Sequence, residues 1–220
     1  MASLTSSTIG RKYAMALSAL FLLSFLVIHV SSNITSIFSV DVYNEVAHFM
    51  GYNPLVQYLL QPVLTIGILF HFIMGFILEI KNNKARPIKY ANNNGAANST
   101  WVSRNMIISG AVILAFFALH FYDFWFPELD YKFVAKNAID ETRYWDELHH
   151  KFHDIWRVAL YVISFVLLGL HLAHGFQSSF QSVGARHPKY TPVIKAVGFW
   201  FSVIVPLGFI IIAIFHYVTQ

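Results

Sequence analysis

Histidine is the residue type in this sequence with the clearest capacity for chemistry. The chain has 11 histidines and no cysteine, so it offers no thiolate for a disulfide or an iron–sulfur cluster. An ionisable side chain at membrane depth is costly and normally faces the interior of a helical bundle, where it has a partner. For any single histidine, the alternative to a ligand role is a hydrogen bond to a neighbouring helix. Six histidines lie within or at the edge of long apolar segments: His29, His71, His120, His171, His174 and His216.

Five apolar segments carry these histidines, at about residues 13–30, 55–80, 106–125, 155–176 and 194–218. A membrane-spanning helix needs about 20 predominantly apolar residues. The segments lack the period-two alternation of barrel strands, so we predict helices. Only 12% of the residues are charged, against about 25% in soluble domains. The sequence therefore predicts an all-α integral membrane bundle of five transmembrane helices, forming one domain over residues 1–220, with no internal repeat.

The basic residues of the loops predict the orientation of this bundle. Basic residues precede the first span and occur in the second and fourth loops. They are Arg11, Lys12, Lys81, Lys84, Arg86, Lys89, Arg104, Arg186, Lys189 and Lys195. The first loop has no Lys or Arg, and the third is net acidic. The positive-inside rule then places the N-terminus in the cytoplasm and the C-terminus on the outer side. The modest net charge of +4, carried in short loops, argues against a nucleic-acid partner.

The depths of four histidines fall into two levels. With a helix rise of about 1.5 Å per residue, His29 and His120 lie about 25 and 24 Å from the cytoplasmic ends of their spans. His71 and His171 lie about 14 and 11 Å from the same side. Each level therefore holds two imidazoles from different helices, which is the ligand set of a bis-histidine haem. The spacing predicts two haems.

Glycines support the inner level. Gly75 and Gly175 each follow a histidine of that level by four residues, which places them one turn along the same helix face and leaves room for a flat macrocycle. The alternative is close helix packing through small residues. His174 lies three residues after His171 on nearly the same face, so it is an alternative inner ligand or a partner of a haem propionate.

The remaining histidines carry weaker signals. His216 lies near the outer end of the fifth span without a partner at its depth, and we expect it to be interfacial. His149 and His153 have the i, i+4 spacing of a helical metal site, but no further ligand is apparent, and solvated loop histidines are the preferred interpretation. The sequence contains no phosphate-binding glycine loop and no nucleophile elbow.

Short motifs around the span histidines resemble those of a known family. They read Val27-Ile28-His29-Val30, Ala47-His48-Phe49-Met50, His71-Phe72-Ile73-Met74-Gly75, Ala118-Leu119-His120-Phe121 and His171-Leu172-Ala173-His174-Gly175. With one histidine on each of the first four spans, the chain resembles the single-polypeptide, five-helix, di-haem cytochrome b anchor of succinate dehydrogenases and fumarate reductases. The resemblance covers nearly the whole chain.

The resemblance implies two b haems, the inner one ligated by His71 and His171 and the outer one by His29 and His120. It implies a subunit of an enzyme, in the respiratory chain and the tricarboxylic acid cycle, that does not itself bind the dicarboxylate. A flavoprotein and an iron–sulfur protein would dock on the cytoplasmic side of a bacterial cytoplasmic membrane. Electrons would pass through the haems between succinate or fumarate and a membrane quinone, with menaquinone expected.

The sequence departs from this family at the expected quinone site. Relatives carry an acidic residue at the outer start of the second helix, whereas Met50-Gly51-Tyr52-Asn53-Pro54 contains none. The nearby candidates for handling quinone protons are Glu45, Asp41 and His48, and no motif selects among them.

Two other functions remain open from the sequence. One is a di-haem cytochrome b anchor of another quinone-linked enzyme, such as a hydrogenase or formate dehydrogenase, which its copurifying partners would reveal. The other is a cofactor-free transporter with packed intramembrane histidines. Transporters often have inverted repeats and broken helices, and the sequence gives no sign of either.

Overall fold

The computed structural model describes residues 7–84 and 105–220, and these residues form helices without any strand. In chain order the helices are α1 (Thr8–Phe38), α2 (Val40–Tyr52), α3 (Val56–Lys84), α4 (Met106–Val134), α5 (Arg143–Lys151), α6 (Ile155–Ser182) and α7 (Thr191–Val218). Helix α3 begins with a π-helical turn, and α4 contains two, at Phe121–Trp125 and Asp130–Val134.

Five of these helices, α1, α3, α4, α6 and α7, are long and apolar enough to cross a membrane. Each predicted span lies within one of them or starts one residue before it, so the expected all-α architecture with five such helices is confirmed. Helix α1 extends beyond its predicted span at both ends, and each of the other four helices extends beyond its span at one end. Large apolar side chains such as Ile66, Trp156 and Trp200 are exposed on their outer faces, as contact with lipid requires.

Side chains cap the N-termini of several helices. The Ser7 hydroxyl accepts a hydrogen bond from the Gly10 amide at 2.9 Å, and the Asp154 carboxylate accepts one from the Trp156 amide at 2.9 Å. These caps satisfy amides that have no partner within the helix. Helix α7 instead begins with Pro192 in its first turn, where the missing amide proton costs nothing.

Helix α6 lies at the centre of the packing. It contacts α1, α4 and α7, while α1 also contacts α3 and α7. A core of apolar side chains, including Tyr161, Phe165 and Phe209, fills the space between α6 and α7. Gly169 allows these two helices to approach closely. A Cβ atom at this position would lie 3.0 Å from the Ser202 carbonyl oxygen.

The two ends of the bundle differ in charge. We call the end at which α1, α4 and α7 begin the proximal end, and the opposite one the distal end. Basic residues that flank the proximal end are Arg11, Lys12, Lys81, Lys84, Arg186, Lys189 and Lys195. Arg86, Lys89 and Arg104, which also entered the predicted orientation, lie outside the described residues.

Two short helices, α2 and α5, cover the distal end. The Trp145 ring N–H of α5 donates to the Ser36 carbonyl at 2.9 Å, and the Asn44 amide of α2 donates to the Thr142 carbonyl at 2.9 Å. The Lys132 ammonium donates to the Gly51 carbonyl at 2.7 Å. The predicted third loop is therefore a partly helical cap tied to the bundle by long-range hydrogen bonds.

Candidate functional site

The proximal histidine pair consists of His71 on α3 and His171 on α6. Their ring centroids lie 6.4 Å apart, with an interplanar angle of 72°. A metal–imidazole bond is about 2 Å long, so two imidazoles on opposite sides of one metal ion have centroids roughly 6–6.5 Å apart. The two helices thus bring together the histidines that were predicted to share the inner level, at a separation that fits a shared iron.

Each ring of the proximal pair contacts a serine on a neighbouring helix, α1 for His71 and α4 for His171. The Ser18 hydroxyl oxygen of α1 lies 3.1 Å from His71 Nδ1, and the Ser109 hydroxyl oxygen of α4 lies 3.1 Å from His171 Nδ1. Each hydroxyl also lies within hydrogen-bonding distance of the carbonyl oxygen three residues earlier on its own helix, at 2.8 Å for Ser18 and 2.9 Å for Ser109.

The distal histidine pair consists of His29 on α1 and His120 on α4, with ring centroids 5.9 Å apart and an interplanar angle of 87°. Aromatic rings surround it. Phe25 stacks on His29 at 5.1 Å, and Phe116 stacks on His120 at 5.7 Å. The distal separation is slightly shorter than the roughly 6–6.5 Å of two imidazoles on one metal ion, and the surroundings of the pair are apolar.

The Nδ1 atoms of the distal pair have poorer partners. The Asn33 amide nitrogen donates to the His29 carbonyl at 2.8 Å and lies 3.4 Å from His29 Nδ1, which is a long contact. His120 Nδ1 is buried and has no hydrogen-bond partner in the described part of the chain. Such an orphaned nitrogen is uncommon in a folded protein.

The two glycines predicted to make room for a macrocycle lie against methionine side chains. A Cβ atom on Gly75 would lie 3.6 Å from the terminal methyl of Met15, and one on Gly175 would lie 3.3 Å from that of Met106. Methionine is flexible and readily repacks. The neighbours of both glycines are therefore mobile side-chain ends rather than helix backbone.

A shared spacing relates α1 to α4. Met15, Ser18 and His29 on α1 have the same separations as Met106, Ser109 and His120 on α4. Helices α3 and α6 in turn share the His-x-x-x-Gly spacing. Two helix pairs therefore carry the same pattern of site residues. This spacing was the sequence signal that could have identified the two serines.

His174 is separate from the proximal pair. It is partly exposed and makes no hydrogen bond or ring contact with a described residue, whereas His171 is paired with His71. The geometry favours His171 over His174 as the second member of the pair.

Sequence reasoning missed a buried polar cluster beside the distal pair. The Asp123 side chain on α4 is 1% exposed, and it accepts hydrogen bonds from the Arg157 guanidinium and, at 2.8 Å, from the Tyr161 hydroxyl. The Tyr161 ring centroid lies 6.4 Å from that of His120. The signal was present in the sequence: an aspartate stands within the aromatic run Phe121-Tyr122-Asp123-Phe124-Trp125.

His216 has a partner that its depth did not predict. It is 0% exposed, its Nε2 lies 3.0 Å from the Ser36 hydroxyl oxygen, and its Nδ1 lies 3.1 Å from Nδ1 of His149 on α5. The expectation that His216 has no partner is therefore wrong, because the distal cap folds back over the end of α7. Burial lowers the pKa of His149 and the neighbouring His153 lowers it further, while Asp146 opposes the shift.

The distal cap also holds the candidates for quinone protons. Glu45 is exposed on α2. His48 stacks on Tyr52 at 4.7 Å, and its Nε2 lies 3.6 Å from a carboxylate oxygen of Glu141. Neither residue contacts a member of the two histidine pairs. Within residues 7–84 and 105–220, no group of three or more His, Cys, Asp or Glu side chains has the arrangement of a metal site.

No family model matches the chain, and no curated protein or solved structure is significantly similar to it.

Proposed function

We propose that the chain is the membrane-anchor cytochrome b subunit of a succinate:quinone oxidoreductase, carrying electrons through two bis-histidine b haems. In this proposal, His71 and His171 hold the proximal haem, and His29 and His120 hold the distal haem. The observation that carries the proposal is the presence of two histidine pairs at two levels of one apolar bundle, with ring separations of 6.4 and 5.9 Å.

The residues of both pairs fit the donor set of a haem held for electron transfer. When bound, haem b supplies reversible one-electron transfer at its iron. The four histidines of the two pairs would supply neutral imidazoles as iron ligands, a donor set that suits electron transfer rather than dioxygen binding. Apolar and aromatic side chains around the distal pair exclude water, and a lower dielectric and fewer water contacts are levers that tune a redox potential.

The proposal assigns the two ends of the bundle to the two sides of a bacterial cytoplasmic membrane. The basic proximal end would face the cytoplasm, in keeping with the positive-inside rule. A flavoprotein and an iron–sulfur subunit would dock there, and the dicarboxylate would react on them rather than on this chain. A quinone, expected to be menaquinone, would exchange electrons with the haems within the membrane, with Glu45 and His48 as candidate proton-handling residues.

Copurification tests the assignment to this enzyme. The chain is expressed with an affinity tag in its native membrane, and the solubilised complex is tested for associated subunits and for haem reduction by succinate. We expect a flavoprotein, an iron–sulfur protein and haem reduction by succinate. A hydrogenase or molybdenum-containing partner would instead assign the chain to another quinone-linked enzyme.

Substitution of a ligand tests the site. His71→Ala is expected to leave one b haem per chain, because the distal ligands stay in place. His174→Ala is the matched control, since His174 lies one turn from His171 but belongs to neither pair. Loss of the proximal haem in His174→Ala and its retention in His71→Ala would overturn the ligand assignment.

A further inference from the structure

We infer that Ser18 and Ser109 are positioning residues for the proximal haem: each hydroxyl fixes the tautomer and ring orientation of one proximal histidine. This inference rests on the proposed function and deepens it. It concerns two residues on α1 and α4 that neither the motifs nor the depths of the histidines singled out.

The direction of the hydrogen bonds gives the first step. A serine hydroxyl has a single proton to donate. In both serines that proton is directed to a backbone carbonyl, Met15 O at 2.8 Å and Met106 O at 2.9 Å. The hydroxyl oxygen must then accept from the histidine, so His71 and His171 each carry their proton on Nδ1.

The tautomer gives the second step. A neutral imidazole with a proton on Nδ1 has an unprotonated Nε2 with a free lone pair. No described residue donates to Nε2 of either ring. Both proximal histidines are therefore held in the form that ligates iron through Nε2, before any haem binds. A hydrogen bond of this kind also orients a ligand and raises its basicity.

The placement of the serines gives the third step. Each serine reaches a histidine on a different helix, Ser18 from α1 to α3 and Ser109 from α4 to α6. Other serines of the spans behave differently. Among the described residues, the hydroxyls of Ser24 on α1 and Ser164 on α6 bond only to carbonyls of their own helices. Because the same Met-x-x-Ser arrangement occurs on α1 and α4, one interaction is repeated on both sides of the proximal site.

Alanine variants test the inference, with Ser24→Ala and Ser164→Ala as controls. Redox titration and haem retention are measured on the purified chain, and the proximal haem is identified as the component missing from His71→Ala. Without the acceptor, the imidazole becomes less basic and stabilises ferric iron less. We therefore expect Ser18→Ala and Ser109→Ala to shift the proximal potential in the positive direction and to weaken proximal haem retention about 10-fold to 100-fold.

A conservative variant separates hydrogen bonding from packing. Ser18→Thr and Ser109→Thr keep a hydroxyl that can both donate to the backbone and accept from Nδ1, so the potential should return toward that of the wild type. Two results would overturn the inference, provided that the wild type holds two haems. One is a proximal potential in Ser18→Ala and Ser109→Ala equal to that of the wild type. The other is a proximal potential in the threonine variants equal to that of the alanine variants. A folded wild type without haem would contradict the proposed function itself, which is a different outcome.

Discussion

The two histidine pairs have similar separations but different surroundings. At the proximal pair, each Nδ1 has a serine hydroxyl at 3.1 Å. At the distal pair, His29 Nδ1 has only a long contact with Asn33, and His120 Nδ1 has none among the described residues. The proximal site is built from matched polar contacts, whereas the distal site is built from aromatic packing and a neighbouring charged cluster. A pair separation alone therefore does not define the properties of a site.

The largest effect is expected from Asp123→Asn, which removes the charge shared by Arg157 and Tyr161. Breaking a buried ion pair by removing one partner costs about 3–5 kcal/mol, and the lower part of this range applies because the Arg157 side chain is 25% exposed. Denaturant unfolding in detergent measures this loss. The distal haem spectrum should change while the proximal one stays the same.

The control for this prediction is Asp41→Asn, on the exposed surface of α2. It removes the same charge without disturbing a buried pair, so its stability should remain close to that of the wild type. Equal losses in the two variants would mean that the Asp123 cluster does not support the distal pair.

A smaller effect, confined to the proximal site, is expected from Gly175→Leu. The new side chain would fill the space beside His171 and push against Met106, whose methyl group already lies 3.3 Å from a Cβ at this position. Proximal haem content should fall and distal content should persist. The control is Ala173→Leu, at an exposed position of α6, the helix that carries Gly175. Gly184→Leu is unsuitable, because the φ of +88° at Gly184 disfavours any side chain.

The distal cap should loosen as pH falls. Because burial holds the pKa of His149 below its ordinary value, the unfolded chain binds the proton first. Neutral His149 therefore does not lower the free energy of unfolding of the cap above about pH 6.5. This free energy decreases as pH falls from there toward the lowered pKa of the folded state. The groups facing this ring are His216 on α7, His153 and Asp146.

Hydrogen exchange of α5 between pH 7.5 and about pH 5.5 follows this change in the wild type and in His149→Gln. After the measured rates are corrected for base-catalysed intrinsic exchange, which slows toward acid, the protection of α5 should fall toward acid in the wild type and vary less in the glutamine variant. A cap whose exchange has the same pH profile in both proteins would show that His149 does not control it.

The smallest effect is expected from Asn33→Ala. The contact of its amide with His29 Nδ1 is long, so its loss should change the distal potential less than Ser18→Ala changes the proximal one. A larger shift for Asn33→Ala would reverse the contrast between the two sites. Redox titration of both variants on the same preparation provides the comparison.

Much of the scaffold could be predicted because helix spans and histidine depths are local properties of the sequence. Apolar length placed the five helices, and a constant rise per residue predicted which histidines lie close together. The partners of Nδ1 could not be predicted in this way, because Ser18 and Ser109 act across helices. The His216–His149 contact was also hidden, since it depends on how a polar loop folds back over α7. Asp123 was missed although it stands in an aromatic run, and its two partners could not be predicted because both come from α6.

The most direct test of the central claim is the haem content of the purified chain, counted from the reduced-minus-oxidised absorbance spectrum. The wild type should hold two b haems, and His71→Ala and His120→Ala should each hold one, with different spectra. A folded wild type without haem would contradict the account, and so would loss of the same haem in both variants.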